Sequence, residues 1–309
     1  MRETVTTALE RNEKAYQVNE RTFKSMIQDL TSLLKGLVLV VNVMPVLTGF
    51  WLALYFTNAS ILEYWDVLLI TMIGSTLVIA GALALNNWYE VDLDREMERT
   101  KNRPTVTGNF SMNAVLTMGI IFTIAGFAFL LFTTVEAVVY AFIGWFTYVV
   151  LYTIWSKRKY TLNTMIGAVS GAVTPLMGWT VIAPGYHIVP ITLALIIFIW
   201  QMPHTFAIAM RRYDDYKRAG VAMLPVVHGF EVTKRQIVVY ILCLFPLPFF
   251  LGSLGTTFVV IATVMNIIWM VTGIRGLFMK NDIKWANQMF IYSVNYLLIL
   301  FLLMMAVAW

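Results

Sequence analysis

The stretch of this chain best equipped for chemistry is residues 86–104, NNWYEVDLDREMERTKNRP, which follows a long apolar run. It holds five carboxylates and four basic side chains. Four of its polar residues recur every four positions, so a continuing helix would stack them on one face: Asn86, Glu90, Asp94 and Glu98. Oxygen ligands of this kind suit Mg²⁺, which usually shares its coordination with substrate phosphates. The stretch therefore predicts a site for a divalent metal together with a polyanion.

A second polar stretch covers residues 200–225, WQMPHTFAIAMRRYDDYKRAGVAMLP. After His204 it carries six charged residues within four turns: Arg211, Arg212, Asp214, Asp215, Lys217 and Arg218. Arginines clamp phosphate with two hydrogen bonds, and the aspartates could ligate a second metal. Both stretches also admit a simpler interpretation, in which they are solvated helix ends flanking membrane spans. Membrane topology explains the basic residues, but it does not explain carboxylates in both stretches.

The composition places most of the chain in a membrane. Hydrophobic residues make up 59% of the 309 residues and charged residues only 13%, far from the averages of soluble proteins. Residues 37–56 and 67–85 contain no Lys, Arg, Asp or Glu, and each can cross a hydrocarbon core of ~30 Å. We expect a polytopic membrane protein whose surroundings are the lipid bilayer. The sequence has no phosphate-loop glycine pattern, and we expect no nucleic-acid partner.

The apolar runs predict an all-α bundle of nine transmembrane helices, near residues 36–57, 66–88, 112–133, 137–156, 163–183, 188–210, 236–254, 257–276 and 287–308. Residues 36–309 then form one intramembrane domain. Residues 1–35 form a polar tail followed by an amphipathic helix on the membrane surface, because apolar residues from Phe23 to Leu34 recur at spacings of three and four.

The distribution of basic residues predicts the orientation. All 22 Lys and Arg residues fall in the N-terminal tail or in the loops after the second, fourth, sixth and eighth helices. By the positive-inside rule the N-terminus and these loops are cytoplasmic, and the C-terminus lies outside the cell membrane. Long charged loops follow the second and sixth helices, which suggests two parallel four-helix repeats plus one helix, with a site between the repeats.

Several motifs carry a resemblance to a known family. Asn86-x-x-x-Glu90-x-x-x-Asp94, followed by Asn102-Arg103-Pro104, resembles the first motif of the UbiA superfamily of intramembrane prenyltransferases. Residues 200–204 and 215–225 resemble one branch of it, the protohaem IX farnesyltransferases, and the resemblance covers nearly the whole chain after residue 35. The sequence departs from the usual motifs at Asn87 and Glu90, which replace aspartates. It also has Arg211 where many members carry an aspartate of the second motif.

The resemblance implies transfer of a farnesyl group from farnesyl diphosphate to a vinyl group of haem b, with addition of water, giving haem O and diphosphate. Mg²⁺ is the implied cofactor. The implied catalytic residues are Asn86, Glu90, Asp94, His204 and Asp215, and the implied metal ligands are Asn86, Glu90, Asp94, Asp214 and Asp215. The implied substrate-binding residues are Arg99, Lys101, Arg103, Lys157, Arg158, Arg211, Arg212 and Tyr216. A haem A synthase or a terminal oxidase assembly would be a candidate partner. We expect the metal-binding carboxylates to face water and substrate.

His204 has two interpretations. It could ligate or orient the acceptor haem, because neutral imidazole is a common axial ligand of haem iron. It could also be a hydrogen-bonding residue that shapes the helix break at Pro203. Two alternatives remain for the function itself. One is a prenyltransferase that acts on a quinone precursor or another ring, and the other is a membrane transporter. Transporters usually place ionisable groups at mid-membrane, whereas here they crowd the helix ends.

Overall fold

The computed structural model describes residues 23–308, which form helices joined by turns. In chain order the α-helices are α1 (Phe23–Leu33), α2 (Gly36–Thr57), α3 (Trp65–Tyr89), α4 (Val91–Glu96), α5 (Pro104–Thr107), α6 (Met112–Leu130), α7 (Val135–Phe146), α8 (Asn163–Ala172), α9 (Thr174–Trp179), α10 (Ile188–Arg211), α11 (Tyr213–Arg218), α12 (Leu224–Cys243), α13 (Leu247–Phe250), α14 (Thr256–Gly276) and α15 (Asp282–Val307). A π-helix, Thr147–Ser156, continues α7, and a 3₁₀ turn, Gly252–Leu254, precedes α14. The predicted tail before Phe23 lies outside the described residues.

Eight helical segments within residues 23–308 are long and apolar enough to cross a membrane. They are α2, α3, α6, α7 with the π-helix, α10, α12 with α13, α14 and α15. The chain is therefore an all-helical, multi-pass membrane protein. Seven of these segments closely match predicted spans, because apolar runs of this length have no other stable environment. The eighth, α12 with α13, begins at Leu224 and ends at Phe250, whereas the predicted span is 236–254, and its backbone is kinked at Gly229.

The predicted span at residues 163–183 is divided into two short helices, α8 and α9, which meet at Val173. Pro175 causes the break, since proline has no N–H to donate to the carbonyl oxygen of Gly171. The hydroxyl of Thr174 donates to that oxygen at 2.6 Å instead. Neither piece is long enough to cross a bilayer by itself.

Backbone contact between α2 and α9 lies at the centre of the bundle. A Cβ atom at Gly178 would overlap the carbonyl oxygen of Val46, and a Cβ at Gly49 would overlap that of Pro175. Small residues let membrane helices approach closely and gain dispersion contacts. The two glycines therefore allow the short distance between the backbones of α2 and α9.

A polar layer, formed by residues 90–111 and 212–223, covers one end of the bundle. Its two parts are joined by a small buried apolar cluster: Leu93, Met97, Ala209, Val221 and Met223. The amphipathic helix α1 borders this layer, with Phe23 73% exposed and Leu33 at its other end fully buried. Leu33 accepts a short hydrogen bond from the side-chain amide of Asn87. The polar layer and α1 therefore close over the ends of α3 and the π-helix, where the candidate site lies.

Candidate active site

Three residues of the first motif lie on successive helical turns. α3 ends at Tyr89 and α4 begins at Val91, but the hydrogen bonds continue across the junction. The amide of Glu90 donates to Asn86 at 3.0 Å, and the amide of Asp94 donates to Glu90 at 2.9 Å. The side chains of all three residues are buried together at this end of the bundle.

The fourth member of the predicted stack, Glu98, does not join them, and that prediction is wrong. α4 ends at Glu96 and the chain turns outward, so Glu98 is exposed and pairs with Lys101 at 2.5 Å. Leu93 and Met97 are buried in the small apolar cluster, and the backbone at Met97 is extended, so the helix does not continue to Glu98.

The carboxylates of the first motif are paired with basic residues. Lys157 Nζ lies 2.5 and 2.6 Å from the two carboxylate oxygens of Glu90. Arg103 Nη1 lies 2.6 Å from Asp94 Oδ2 and 2.9 Å from Asn87 Oδ1. Burial by itself would lower the pKa of Lys157, but the adjacent Glu90 carboxylate outweighs it and raises that pKa.

The expectation that Glu90 and Asp94 face water is therefore wrong. Their side chains are only 4% exposed, because the polar layer covers them and basic side chains fill the space beside them. Buried charges are stable in such a place only when they are paired and hydrogen-bonded.

Lys35 also reaches this cluster, and the sequence did not single it out. Its Nζ lies 2.5 Å from Asn86 Oδ1, while Asn86 Nδ2 donates to Thr153 Oγ1 at 2.9 Å. Burial, followed by the charge of Arg103, lowers the pKa of Lys35. The positive-inside rule by itself explains a lysine at the end of the first span, so nothing in the residue type pointed to the site. Its position in the turn between α1 and α2 was the one local indication of a role there.

The π-helix supplies the other side of the cluster. Its wider turn is closed by the amide of Lys157, which donates to the carbonyl of Tyr152, five residues earlier, at 2.9 Å. Thr153 and Lys157 then point toward Asn86 and Glu90. π-helical turns are rare and occur frequently at functional sites. This π-helix could not be predicted from the sequence, because its residues are as apolar as those of any other span.

A cavity of about 240 Å³ lies beside the charged cluster, between α2, α3, α7, the π-helix, α8, α9 and α10. Tyr152 lines this cavity, and its ring lies 5.3 Å from Lys157 Nζ. The walls are mainly apolar, with a few polar side chains: Asn42, Tyr148, Thr164, Ser170, Thr174, Gln201 and Thr205. The arrangement can hold an apolar chain in the cavity and an anionic head at the charged cluster.

The second motif contributes differently from the first. Asp215 is buried and accepts from the backbone amide of Glu98 at 3.3 Å and from Arg218 Nη2 at 2.6 Å. It therefore joins the two parts of the polar layer. Asp214 and Arg212 are exposed.

The fit to a metal can be judged from these contacts. Within residues 23–308 no three or more His, Cys, Asp or Glu side chains converge as a metal site. Glu90, Asp94 and the amide oxygen of Asn86 nevertheless form an oxygen donor set with two carboxylates. By ligand type this set suits one Mg²⁺ that completes its coordination with substrate phosphate and water, once Lys35, Arg103 and Lys157 release the oxygens that they now contact.

The remaining predicted substrate-binding residues are divided among several places. Arg158 clamps the exposed Asp92 at 2.7 and 2.8 Å, and the hydrogen bond from Arg158 lowers the pKa of Asp92. Arg211 stacks on the ring of Phe290, with its guanidinium carbon 4.2 Å from the ring centroid. The others lie at the surface or half-buried at the edge of the small apolar cluster: Arg99, Lys101 and Tyr216. Only Arg103 and Lys157 of the predicted set contact the first-motif carboxylates in the structure.

His204 belongs to α10 and is half-buried against α15. Its ring stacks on Trp200 at 4.5 Å, and its Nδ1 lies 2.8 Å from Ser293 Oγ. The hydroxyl of Ser293 is also 2.7 Å from the carbonyl of Phe290, and when it donates there, Nδ1 of a neutral His204 donates to Ser293. That tautomer leaves Nε2 with a free lone pair.

Comparison with known proteins identifies the fold. Two solved structures match nearly the whole chain. One is of digeranylgeranylglyceryl phosphate synthase, with a TM-score of 0.72 and 18% identity over 91% of this chain and 98% of that one. The other is a UbiA homolog from Archaeoglobus fulgidus bound to GPP and Mg²⁺, with a TM-score of 0.64 and 15% identity over 89% and 99%. At 15–18% sequence identity these structural matches establish the fold alone.

The sequence matches assign the family. Residues 42–294 match the UbiA prenyltransferase family. A protoheme IX farnesyltransferase of Oceanobacillus iheyensis is 53% identical over 290 residues, which cover 94% of this chain and 92% of that protein. These matches favour the prenyltransferase hypothesis over the transporter alternative. The chain belongs to the UbiA prenyltransferase family, in the branch of the protoheme IX farnesyltransferases.

Proposed function

We propose that this protein transfers the farnesyl group of farnesyl diphosphate to a vinyl group of haem b and that water addition then gives haem O. The observation that carries the proposal is the buried cluster of Glu90, Asp94, Arg103 and Lys157 beside an apolar cavity. A prenyl diphosphate has the same two parts, an anionic head and an apolar chain. The 53% identity to a protoheme IX farnesyltransferase supports haem as the acceptor.

The reaction begins when the allylic C–O bond breaks and its electron pair leaves with the diphosphate. Arg103 and Lys157 would exchange their carboxylate partners for the diphosphate oxygens and so neutralise the charge that develops there. The vinyl π electrons of haem then form the new C–C bond. Water adds to the resulting cation and loses a proton, which leaves the hydroxyl group of haem O. The walls of the cavity keep water from the farnesyl cation until that bond has formed.

Asn86, Glu90 and Asp94 would hold one Mg²⁺ with the substrate. When bound, Mg²⁺ supplies further neutralisation of the departing diphosphate. The related UbiA homolog was solved with Mg²⁺ and GPP, which supports divalent metal use here. Asp214 and Asp215 are the candidate ligands of a second metal, but the contacts of Asp215 to Glu98 and Arg218 make one metal the simpler arrangement.

We propose that Nε2 of His204 binds the iron of the acceptor haem, because the hydrogen bond to Ser293 directs the lone pair away from Nδ1. His204→Ala should then weaken haem binding by about tenfold or more and remove the Soret features of imidazole-bound iron. Binding of farnesyl diphosphate should be unchanged.

A haem titration followed by absorbance tests this prediction, with His228→Ala as the matched control, since His228 is exposed on α12. An unaltered Soret band and affinity in His204→Ala would assign the histidine a structural role at the Trp200 stack.

We further propose nine spans, with α8 and α9 together forming the one at residues 163–183. The nine comprise two parallel four-helix repeats and a last helix, and the polar layer faces the cytoplasm. The one-sided distribution of all 22 basic residues supports this orientation. The product would pass to a haem A synthase or a terminal oxidase assembly.

One experiment tests the reaction and the orientation together. Sealed inverted and right-side-out membrane vesicles are incubated with haem, Mg²⁺ and farnesyl diphosphate, which cannot cross the bilayer. We expect haem O, identified by mass, in inverted vesicles only, and none with a chelator. Product confined to right-side-out vesicles would refute the orientation. No farnesylated haem on either side would refute the function, and farnesylation of a quinone precursor instead would favour the alternative acceptor.

A further inference from the structure

A second pocket, of about 590 Å³, opens beneath the surface helix α1. One side is basic, with Lys35, Arg99 and Arg103. The other is partly apolar, with Ile27, Leu37 and Val38. This combination matches an amphiphile with an anionic head, and the place of α1 at the end of the first span puts the opening at the membrane surface.

This pocket adjoins the central cavity. Val38 lines both of them. Two of the basic residues in its wall also hold the first motif, since Lys35 binds Asn86 and Arg103 binds Asp94. Lys35 and Arg103 therefore form the boundary between the pocket and the metal-binding residues.

The backbone at Lys35 supports a specific role for this residue. It adopts the left-handed conformation, φ 50° and ψ 54°, which long side chains rarely adopt. The turn directs the ammonium group inward to an uncharged amide, although lysines at membrane surfaces usually extend to water. A charge-assisted bond to a phosphate oxygen is stronger than one to an amide, so an arriving diphosphate would displace Asn86 as the partner of Lys35.

We propose that the pocket beneath α1 is the site through which the prenyl diphosphate reaches the central cavity and that Lys35 is its gate. Arg99 first attracts the diphosphate at the exposed edge. Lys35 then transfers its hydrogen bond from Asn86 to the diphosphate, which frees the Asn86 oxygen and opens the boundary beside Val38. The farnesyl chain follows along the apolar wall. The inference rests on the proposed function for its choice of a prenyl diphosphate as ligand.

Binding of farnesyl thiolodiphosphate, which does not react, tests the gate without haem and without turnover. In nanodiscs with Mg²⁺, Lys35→Met should weaken binding of this analogue by about tenfold or more, because it keeps the apolar stem and removes the charge. Lys35→Arg should restore most of the affinity, and Arg99→Ala should weaken binding in the same direction. Lys24→Met removes the same charge from the exposed face of α1 and should bind as the wild type does.

Equal affinity of wild type and Lys35→Met, at equal melting temperature, would overturn the inference. It would also be overturned if Lys35→Met and Arg99→Ala bound the analogue normally but lost a co-purified phospholipid, because the pocket would then hold a lipid headgroup. Haem farnesylation by the wild type would stand in either case. Conversely, weaker analogue binding by Lys35→Met in a protein that does not farnesylate haem would refute only the proposed function.

Discussion

Asp94→Asn should lower kcat for prenyl transfer by a factor of about 10²–10³, the usual cost of removing one group that stabilises transition-state charge. The substitution keeps an oxygen that can accept from Arg103, which now lies 2.6 Å from the carboxylate. It removes the negative charge that the proposed Mg²⁺ site needs. Alanine would be a poorer choice, because an unpaired buried Arg103 would itself cost about 3–5 kcal/mol of stability.

The matched control is Asp92→Asn, two residues earlier on α4. Asp92 is exposed and pairs with Arg158, and exposed ion pairs contribute about 0–1 kcal/mol. Its kcat should stay near the wild-type value. Assays over a range of Mg²⁺ concentrations check the assignment, since Asp94→Asn should need more metal. Near-normal turnover of Asp94→Asn at ordinary Mg²⁺ would show that the first motif does not hold the metal.

Gly178→Ala should destabilise the protein by about 3 kcal/mol, the upper end of typical overpacking costs. The new methyl group would overlap the carbonyl oxygen of Val46, and a backbone atom cannot rotate away as a side chain can. α2 and α9 would have to separate. For a chain of 309 residues, with an unfolding entropy of about 2.1 cal/mol/K per residue, the loss corresponds to a fall in melting temperature of roughly 5 °C.

The control for this prediction is Gly252→Ala, in the turn before α14, where a Cβ atom would meet nothing within 4 Å. Melting of both variants in detergent, followed by size-exclusion chromatography, provides the comparison. Similar melting temperatures for Gly178→Ala and Gly252→Ala would contradict the close crossing of α2 and α9.

Much of the architecture could be predicted from the sequence. Eight spans were read directly from apolar runs, because hydrocarbon excludes unpaired backbone groups and leaves the helix as the only simple solution. The predicted span at residues 163–183 shows the limit of that reasoning. Pro175 lies within it, but hydropathy alone does not say whether a proline bends a helix or divides it. Here the proline divides the span into α8 and α9.

The candidate site could be located from residue types and spacing. Asn86, Glu90 and Asp94 are four residues apart, and residues at that spacing share one face of a helix. The same rule failed at Glu98, because burial of Met97 against residues of α10 and the segment before α12 ends the helix first. Spacing describes a regular helix, and tertiary packing determines where that helix stops.

Only the tertiary structure decided which basic residues meet Asn86, Glu90 and Asp94. The sequence predicts a group of Arg and Lys side chains on one side of the membrane, all equally explained by topology. The fold selects Lys35, Arg103 and Lys157, which come from three segments far apart in the chain. Long, flexible basic side chains have no preferred direction of their own. Their partners depend on which carboxylates and amides the packed helices bury, because a buried polar group needs a partner in place of water. The sequence around each basic residue therefore does not predict its partner.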